Sequence, residues 1–220
     1  MADPVRTGQI GPRTVGRLSM YRRILGDLAA QGAQTVFSHE LAARAGVTAA
    51  QVRRDVMSIG FTGSPARGYE IGDLVNRIGN CLDDPSGQRA ALVGVGHLGQ
   101  AILAYFAGRS PHLSITAGFD VDPHKVNRVI HGCRCYASEE LARVVAEQRI
   151  GIGIIAVPAG AAQGVAESLV RAGVGGLLNF APVRLRVPVD VYVEDVDISV
   201  SLEKVAFFAR QRQMPKETAT

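Results

Sequence analysis

One glycine pattern constrains this chain more than any other feature of its sequence. Residues 92–99 read LVGVGHLG, so an apolar run leads directly into a complete G-x-G-x-x-G pattern. The glycines alone are a weak signal, but a predicted strand before them and the helical segment QAILAYF after them are typical of a dinucleotide-binding turn. In such a turn Gly94 permits the tight bend, Gly96 lets a diphosphate approach the backbone, and Gly99 allows close packing of helix on strand. The alternative is a glycine-rich turn without a ligand.

An acidic residue stands where this interpretation requires one. The next apolar run, SITAGFD, ends in Asp120, which lies 21 residues beyond Gly99. A carboxylate there accepts hydrogen bonds from the ribose hydroxyls of NAD and disfavours the additional phosphate of NADP, although the neighbouring Lys125 and Arg128 weaken that preference. The diphosphate would lie over the free N–H groups of the helix N-terminus. The predicted NAD(H) site therefore contains Gly94, Val95, Gly96, His97, Leu98, Gly99, Asp120 and Lys125.

The last two thirds of the chain alternate short apolar runs with helical segments. The runs IGIGIIAVP, GGLLNF and VDVYV (residues 189–193) are predicted strands, and AAQGVAESLVRAG is a predicted helix. This alternation favours an α/β fold with a parallel, doubly wound sheet. Residues 198–212 form a predicted terminal helix with much apolar surface. Residues 83–88, DDPSGQ, are the predicted linker before the sheet.

The first third is predicted to be helical. Residues 14–31 place apolar side chains at helical spacing, and a short helix follows Ser38 until Gly46 breaks it. Thr48, with Gln51 three residues later, is a capping box that opens the next helix. Two helices joined by such a glycine turn have the spacing of a helix–turn–helix. The apolar residues predicted to face inward are Leu18, Tyr21, Leu25 and Leu28 in the first helix and Val52, Val56 and Ile59 in the third.

Positive charge is concentrated in this helical part. Residues 1–68 contain nine arginines and four acidic residues, whereas residues 69–220 contain 15 basic and 16 acidic residues. In a helix–turn–helix the second helix enters the DNA major groove, where Arg and Gln side chains can make paired hydrogen bonds with bases. The alternative is an ordinary helical hairpin with a solvated arginine face. The outward residues predicted to contact DNA are Thr48, Gln51, Arg53, Arg54 and Ser58.

A glycine-rich segment follows the predicted recognition helix. Gly60, Gly63, Pro65 and Gly68 punctuate it and predict a short hairpin, with a fourth helix beginning near Asp73. The hairpin resembles the wing of a winged-helix domain. Arg67 in this wing is predicted to enter the minor groove or to contact a phosphate.

Several classes of protein are disfavoured. No stretch approaches the roughly 20 apolar residues of a membrane span, and the first residues lack the apolar run of a signal peptide. The three cysteines are too few and too irregular for a disulfide framework, so we expect a cytoplasmic protein with reduced thiols. Cys133 and Cys135 alone do not make a zinc site, and we expect no metal. The tyrosine–lysine pair of short-chain dehydrogenases is absent, no other catalytic constellation stands out, and we therefore predict that the chain is not an enzyme.

A nucleotide domain joined to a DNA-binding domain, without catalytic residues, is the design of a ligand-controlled repressor. Over nearly its whole length the chain resembles the Rex family of redox-sensing transcriptional repressors. The segments that carry the resemblance are RLSMYRRIL (17–25), QVRRDV (51–56), LVGVGHLG (92–99), FDVDPHKV (119–126), AVPAGAAQ (156–163), LLNFAPV (177–183) and VEDVDISVSLEKVAFF (193–208).

The resemblance implies a definite architecture. Residues 1–83 would form a winged-helix domain, residues 84–197 a Rossmann NAD(H)-binding domain, and residues 198–220 an exchanged helix and tail. The exchanged, domain-swapped helix would join two copies into a homodimer by inserting between the partner's two domains. The resemblance also implies that palindromic operator DNA is released when NADH binds, and that NAD+ competes with NADH.

The resemblance further assigns roles to individual residues. Val157 and Pro158 would flank the cofactor, and the nicotinamide end would be lined by Asn179, Phe180, Ala181 and Pro182. Asp197 would pair with Arg23 in one state and meet Tyr105 in the other, while Phe207 and Phe208 would contact two different surfaces of the partner.

Two departures from the family pattern concern DNA recognition. Arg53 and Arg54 match the family's basic pair. However, Ser58 and Ile59 replace the usual aromatic pair, and Arg67 is displaced by two positions because Pro65 occupies the expected place of the wing's basic residue. These departures leave the operator sequence undetermined.

Two other functions remain open from the sequence. One is a small NAD(P)-dependent oxidoreductase with a helical accessory domain. The other keeps the repressor architecture but senses a different nucleotide, since similar Rossmann domains bind coenzyme A.

Overall fold

The chain divides into two units between Pro85 and Ser86 in the computed structural model, which describes residues 10–109 and 112–213. The first unit contains a two-stranded antiparallel sheet, β1 with β2, packed with four helices of the described chain. Their bounds are α1 Pro12–Ala30, β1 Thr35–Val36, α2 Ser38–Ala45, α3 Ala49–Ser58, β2 Tyr69–Glu70 and α4 Ile71–Leu82.

The helices of the first unit enclose a single apolar cluster. Every residue predicted to face inward from α1 and α3 is buried there, so both helical stripes are confirmed. The Thr48 side chain accepts a hydrogen bond from the Gln51 N–H at 3.1 Å, as the predicted capping box requires. The second bond of a capping box, from the Thr48 N–H to the Gln51 side chain, is not formed, because that side chain is bonded to Asp55 and Arg54 instead.

The glycine-rich segment differs from the prediction in its strand pairing. Within it only an isolated bridge joins Ser64 to Gly68 among the described residues. β2 pairs instead with β1, Val36 opposite Tyr69, because this pairing buries both side chains in the core. The fourth helix begins at Ile71 rather than near Asp73, since Ile71 is also buried and follows the strand directly.

The second unit is a seven-stranded sheet with helices. The strands are β3 Gln88–Val93, β4 Leu113–Asp120, β5 Val129–Ile130, β6 Cys133–Ala137, β7 Ile152–Ile155, β8 Gly176–Asn179 and β9 Tyr192–Asp195, and the helices are α5 His97–Phe106, α6 Leu141–Gln148, α7 Ala159–Arg171 and α8 Ile198–Gln213. The order is β5-β6-β4-β3-β7-β8-β9, and all pairs are parallel except β5 with β6. Without the antiparallel edge strand β5, this is the Rossmann order, so the predicted α/β class is confirmed.

Some elements of the sheet were not predicted or were misplaced. The sequence CRCYA of β6 shows no apolar run, but Cys133 and Cys135 face the core in alternation with an exposed Arg134. The last strand was predicted at residues 189–193, whereas β9 begins at Tyr192. A turn precedes it, with the Val191 N–H bonded to the Pro188 carbonyl, and β9 starts where it can pair with Gly176.

Two glycines bring α5 against the end of β3. Gly94 has a φ of +95°, and a Cβ there would lie 2.4 Å from the Ala156 carbonyl oxygen. A Cβ on Gly99 would lie 2.0 Å from the Gly94 carbonyl oxygen. Because both obstacles are backbone atoms, neither position accepts a side chain without movement of the main chain, and the helix packs directly on the turn.

The packing at Gly99 makes a testable prediction for stability. Gly99→Ala should lower the free energy of unfolding by about 1–3 kcal/mol or more, because the added methyl overpacks against backbone. Urea unfolding followed by circular dichroism measures this loss. Gly164→Ala in α7 is the matched control, since its Cβ meets nothing within 4 Å and a helical Gly→Ala change stabilises by about 1 kcal/mol. Equal stability of the two variants would contradict the packing argument.

Candidate functional site

A cavity of about 300 Å³ opens at the carboxyl ends of the central strands. It lies where the strand order reverses, between the parallel strands β3 and β7, which is the usual ligand position in open α/β sheets. The predicted cofactor residues that line it are Gly94, Gly96, Asp120, Lys125, Val157 and Pro158.

The glycine loop leaves room for a ligand at one position only. Gly96 caps the N-terminus of α5, and a Cβ built there meets no atom within 4 Å, in contrast to Gly94 and Gly99. The first-turn N–H groups of a helix favour an anion at this place. The loop therefore leaves open space beside the Gly96 backbone, which is where a diphosphate approaches in a dinucleotide-binding turn.

Asp120 is held at the end of β4 by three donors. Its Oδ2 accepts from the Val95 N–H at 2.8 Å and from the Lys125 Nζ at 3.0 Å, and its Oδ1 accepts from the Asp122 N–H at 2.9 Å. Burial by itself would raise the pKa of Asp120, but the hydrogen bonds from Asp122, Lys125 and Val95 outweigh it and hold the pKa below its ordinary value. The carboxylate is therefore charged at neutral pH and fixed in orientation.

This carboxylate keeps capacity for a ligand. An ionised carboxylate has about four lone-pair sites, and three are occupied by the donors described above. Oδ1, with one donor, can accept from a ribose hydroxyl. Lys125 is also paired, since Asp120 raises its pKa first of all by hydrogen bonding and Asp122 lies 3.6 Å from its Nζ.

The other predicted residues of the glycine loop lie beside the cavity. Val95 is fully buried in the core, where its N–H anchors Asp120. His97 and Leu98 are exposed on the first turn of α5. Within the described chain, neither these residues nor Gly99 line the cavity.

The predicted nicotinamide segment, residues 179–182, begins at the last residue of β8. Asn179 is buried, and its side-chain NH₂ donates to the Val183 carbonyl and to Asp195 Oδ1, each at 2.8 Å. Its Oδ1 accepts from the Ala181 N–H at 3.0 Å. The Asn179 amide therefore braces the end of β8 against β9. The described residues that line the cavity do not include Asn179, Phe180, Ala181 or Pro182.

Several lining residues were missed by sequence reasoning. Ser138 follows β6 directly, and it escaped notice because the strand itself was not recognised. Ala156 follows β7, while Ala161 and Val165 lie on α7, one turn apart. The signal that could have found them is position, since residues just after parallel strands meet at one edge of the sheet.

The second candidate site is the exposed face of α3. Arg53, Arg54 and Arg67 are exposed, and the Arg53 guanidinium donates to the Ser38 hydroxyl at 3.1 Å. The Ser58 hydroxyl donates to the Asp55 carbonyl at 2.6 Å, within its own helix. The arginines keep further exposed N–H groups that can meet a polyanion, and the side chains of Thr48 and Ser58 each make one hydrogen bond within the helix or at its cap.

Asp55 is a buried carboxylate that sequence reasoning did not single out. Arg17 on α1 donates to both of its oxygens, from Nε at 2.6 Å and Nη2 at 2.8 Å, and the Tyr21 hydroxyl donates at 2.9 Å. Burial by itself would raise the pKa of Asp55, but these bonds and one from Gln51 lower it overall. Burial and the bond to Asp55 raise the pKa of Tyr21. The network joins α3 to α1.

The terminal helix α8 presents apolar side chains to solvent. Val200, Leu202, Val205, Phe207 and Phe208 are exposed in the single chain, Phe208 by 63%. Asp197 caps this helix, because its Oδ1 accepts from the Ser199 and Val200 N–H groups at 2.8 and 3.1 Å.

The two predicted partners of Asp197 are both accessible in their own units. Arg23 is exposed on α1. Tyr105 is exposed on α5, where the Arg109 guanidinium lies 4.5 Å from its ring centroid.

Neither a metal centre nor a membrane span is found in the described chain. Among residues 10–109 and 112–213, no three His, Cys, Asp or Glu side chains are grouped to hold a metal ion. No helix of that part is long and apolar enough to cross a membrane. Cys133 and Cys135 are buried in the core, and burial raises the pKa of the Cys133 thiol to about 11.

Family models match both units of the chain. The model described as "CoA binding domain" matches residues 86–183, within the second unit. A model of a "DNA-binding protein N-terminus" matches residues 9–56, the part that contains α1 to α3.

Individual relatives match over nearly the whole chain. The redox-sensing transcriptional repressor Rex of Desulforamulus reducens is 41% identical over 199 residues, which are 90% of this chain and 95% of the relative. The crystal structure of RSP, a Rex-family repressor, in complex with β-NADH has a TM-score of 0.81, with 31% identity over 93% of this chain and 96% of that one. RSP in complex with β-NAD+ and operator DNA has a TM-score of 0.83, with 31% identity over 93% and 94%.

Proposed function

Because the chain belongs to the Rex family of redox-sensing transcriptional repressors, we propose that it binds NADH in the cavity of its second unit and operator DNA through α3 of its first. The observation that carries this proposal is that one chain contains two separate features. The second unit has a ligand-sized cavity lined in part by Asp120, and the first unit has an exposed arginine pair on the second helix of a helix–turn–helix. We propose that it acts in the cytoplasm.

The nucleotide site is proposed from the fit between the cavity and NAD(H). The diphosphate would lie against Gly96, where a Cβ would have open space, and the adenosine ribose would donate to Oδ1 of Asp120. Val157 and Pro158, which follow β7, would flank the cofactor. RSP has been crystallised with both β-NADH and β-NAD+, which supports the same two ligands here.

Coenzyme A is the second candidate ligand. The match of residues 86–183 to the family described as CoA binding domain favours it. Against it, the fixed and ionised Asp120 at the end of β4 suits free ribose hydroxyls, whereas coenzyme A carries a phosphate on its adenosine ribose. A phosphate there would face the negatively charged Asp120 carboxylate. The nearby Lys125 is already paired with Asp120.

The DNA site is proposed for the exposed side of α3 and for the turn that contains Arg67. Arg53 and Arg54 would enter the major groove, and Arg67 would contact the minor groove or a phosphate. RSP has been crystallised with operator DNA, which supports a similar use of this unit. The excess of nine arginines over four acidic residues in residues 1–68 adds attraction to any phosphate backbone.

The terminal helix is proposed to join two copies and to couple the two sites. The apolar residues exposed along α8 need a cover, and a partner copy would supply it by receiving residues 198–220 between its winged-helix (1–83) and Rossmann (84–197) domains. NADH must favour the arrangement that does not bind DNA, since equal affinity for both would shift nothing. Operator DNA must then weaken NADH binding by the same factor.

The oxidoreductase alternative lacks comparable support. The relatives that match nearly the whole chain are transcriptional repressors, and members of this family act as regulators rather than enzymes. We expect the purified protein to bind NADH without consuming it.

The cavity assignment is tested by Gly96→Val. The Cβ of the branched side chain would stand in the space of the diphosphate with no protein atom within 4 Å, so folding should persist while NADH affinity collapses. Isothermal titration with NADH, NAD+, NADPH and coenzyme A measures this in wild type and variant, with urea unfolding as the check of folding. Normal NADH binding by the variant would place the site elsewhere, and tight binding of coenzyme A alone by wild type would favour the second candidate.

The DNA assignment is tested by Arg53→Ala and Arg54→Ala against the palindromic operator that wild type selects from a randomised DNA pool. Each arginine that pairs with guanine contributes roughly 1–3 kcal/mol and discriminates one base pair. An arginine on a phosphate instead weakens binding to all sequences and lowers the salt slope by about one. Fluorescence anisotropy over a salt series distinguishes the two roles. Unchanged binding by the double variant would refute the recognition helix.

The coupling is tested at Asp197. Alanine there would remove the cap of α8 as well as the charge, so Asp197→Asn is the sharper change, because Asn caps helices as well as Asp does. We expect the variant to remain dimeric in sedimentation and to bind NADH, but to release operator DNA less completely when NADH is added. A release curve like that of wild type would show that the Asp197 charge is not part of the switch.

A further inference from the structure

Gln51 is held at both ends of its side chain. Its Nε2 donates to Asp55 Oδ1 at 2.8 Å, and its Oε1 accepts from the Arg54 guanidinium at 2.8 Å. A carboxylate only accepts and a guanidinium only donates, so these neighbours dictate which end of the amide faces which partner. The amide of Gln51 therefore has one orientation.

Asp55 is itself fixed from the opposite side. The paired hydrogen bonds from Arg17 and the bond from Tyr21 leave its carboxylate no freedom to rotate, and the residue is only 2% exposed. The bonds form a continuous series from the buried face of α1, through Asp55 and Gln51, to Arg54 on the exposed face of α3. A partly buried ion pair is thereby linked through hydrogen bonds to a surface side chain that otherwise has many rotamers.

We propose that Gln51 and Asp55 are positioning residues that orient Arg54 toward one base pair of the operator, and that Gln51 does not itself read a base. The proposal rests on the DNA-binding function proposed above. It refines that function by giving Gln51, which the sequence predicts to contact DNA, a positioning role instead. Each polar end of its amide already has one protein partner at 2.8 Å, so turning the amide toward a base would break a bond to Asp55 or to Arg54. Arg54 uses Nη2 for this bond, which leaves its other N–H groups for a guanine or a phosphate.

The energetic benefit expected from this arrangement is preorganisation. Ordering a flexible side chain on binding costs about 0.5–1.5 kcal/mol, and a guanidinium that is already ordered avoids part of that cost. Loss of the Gln51 bond should therefore weaken operator binding by about 2- to 12-fold. Discrimination between bases should be lost only at the base pair that Arg54 reads.

The experiment is a double-mutant cycle between Gln51→Met and Arg54→Ala. Methionine keeps the length of the side chain and its fit to a helix but removes both amide bonds. Operator affinity is measured for the full-length protein by fluorescence anisotropy, with the selected operator and with operators that carry one substituted base pair at a time. We expect Gln51→Met to reduce discrimination at the same base pair as Arg54→Ala, and to have no further effect once Arg54 is alanine.

Tyr21→Phe is the matched control. It removes one hydrogen bond from Asp55 but leaves the bonds from Arg17, to Gln51 and onward to Arg54. We expect it to lower the stability measured by urea unfolding without changing base-pair discrimination. Parallel loss of discrimination in Tyr21→Phe would mean that the effect follows stability, and this would overturn the positioning role.

The remaining outcomes are also distinct. Loss of discrimination at a different base pair in Gln51→Met, persisting beside Arg54→Ala, would show that Gln51 reads a base directly and would overturn the proposal. Wild-type affinity and discrimination in Gln51→Met would also overturn it. If Arg54→Ala itself leaves operator binding unchanged, Arg54 does not contact the operator, and this result contradicts the proposed DNA site rather than the positioning role alone.

Discussion

The close approach of α5 to the end of β3 is the constraint on which the nucleotide unit depends. It requires a residue without a side chain at Gly99, where a Cβ would lie 2.0 Å from the Gly94 carbonyl oxygen, and a positive φ at Gly94. With the helix at this distance, the Val95 N–H reaches Asp120 on the neighbouring strand, and the two strand ends are tied together. The cavity lies beside this junction, so a backbone packing requirement also determines where a ligand can bind.

The DNA-binding unit uses a different device, a buried carboxylate. Removing one partner of a buried ion pair is costly because the other charge is left without compensation. Asp55 has charge compensation from Arg17 and further bonds from Tyr21 and Gln51, so its burial is tolerated. The network also fixes the rotation of α3 about its own axis. The same rotation exposes Arg53 and Arg54 together on the surface that is proposed to meet DNA.

The terminal helix stands apart from both cores in its composition. In the single chain this helix exposes two phenylalanines and several aliphatic residues. An uncovered apolar patch of this kind is typical of an interaction surface. Asp197, just before its first turn, caps the helix, and its charge is proposed to meet another unit. A regulator that senses a ligand in one unit and DNA in another needs an element of this kind, because the ligand must favour one arrangement over the other.

The sequence by itself determined the fold class, the glycine turn, the acidic residue at the end of β4 and the helix–turn–helix. Each of these depends on local pattern: apolar periodicity, turn chemistry and the spacing between residues in neighbouring elements. The structure alone decided the parts that depend on distant contacts. The strand β6 is recognisable only from the core that Cys133 and Cys135 enter, and Asn179 became a brace because β9 brings Asp195 to it. Asp55 reads as an ordinary acidic residue on a helix until folding places Arg17, 38 residues away, against it. A sequence pattern records periodicity and spacing along the chain, whereas a buried polar network is assembled by tertiary packing.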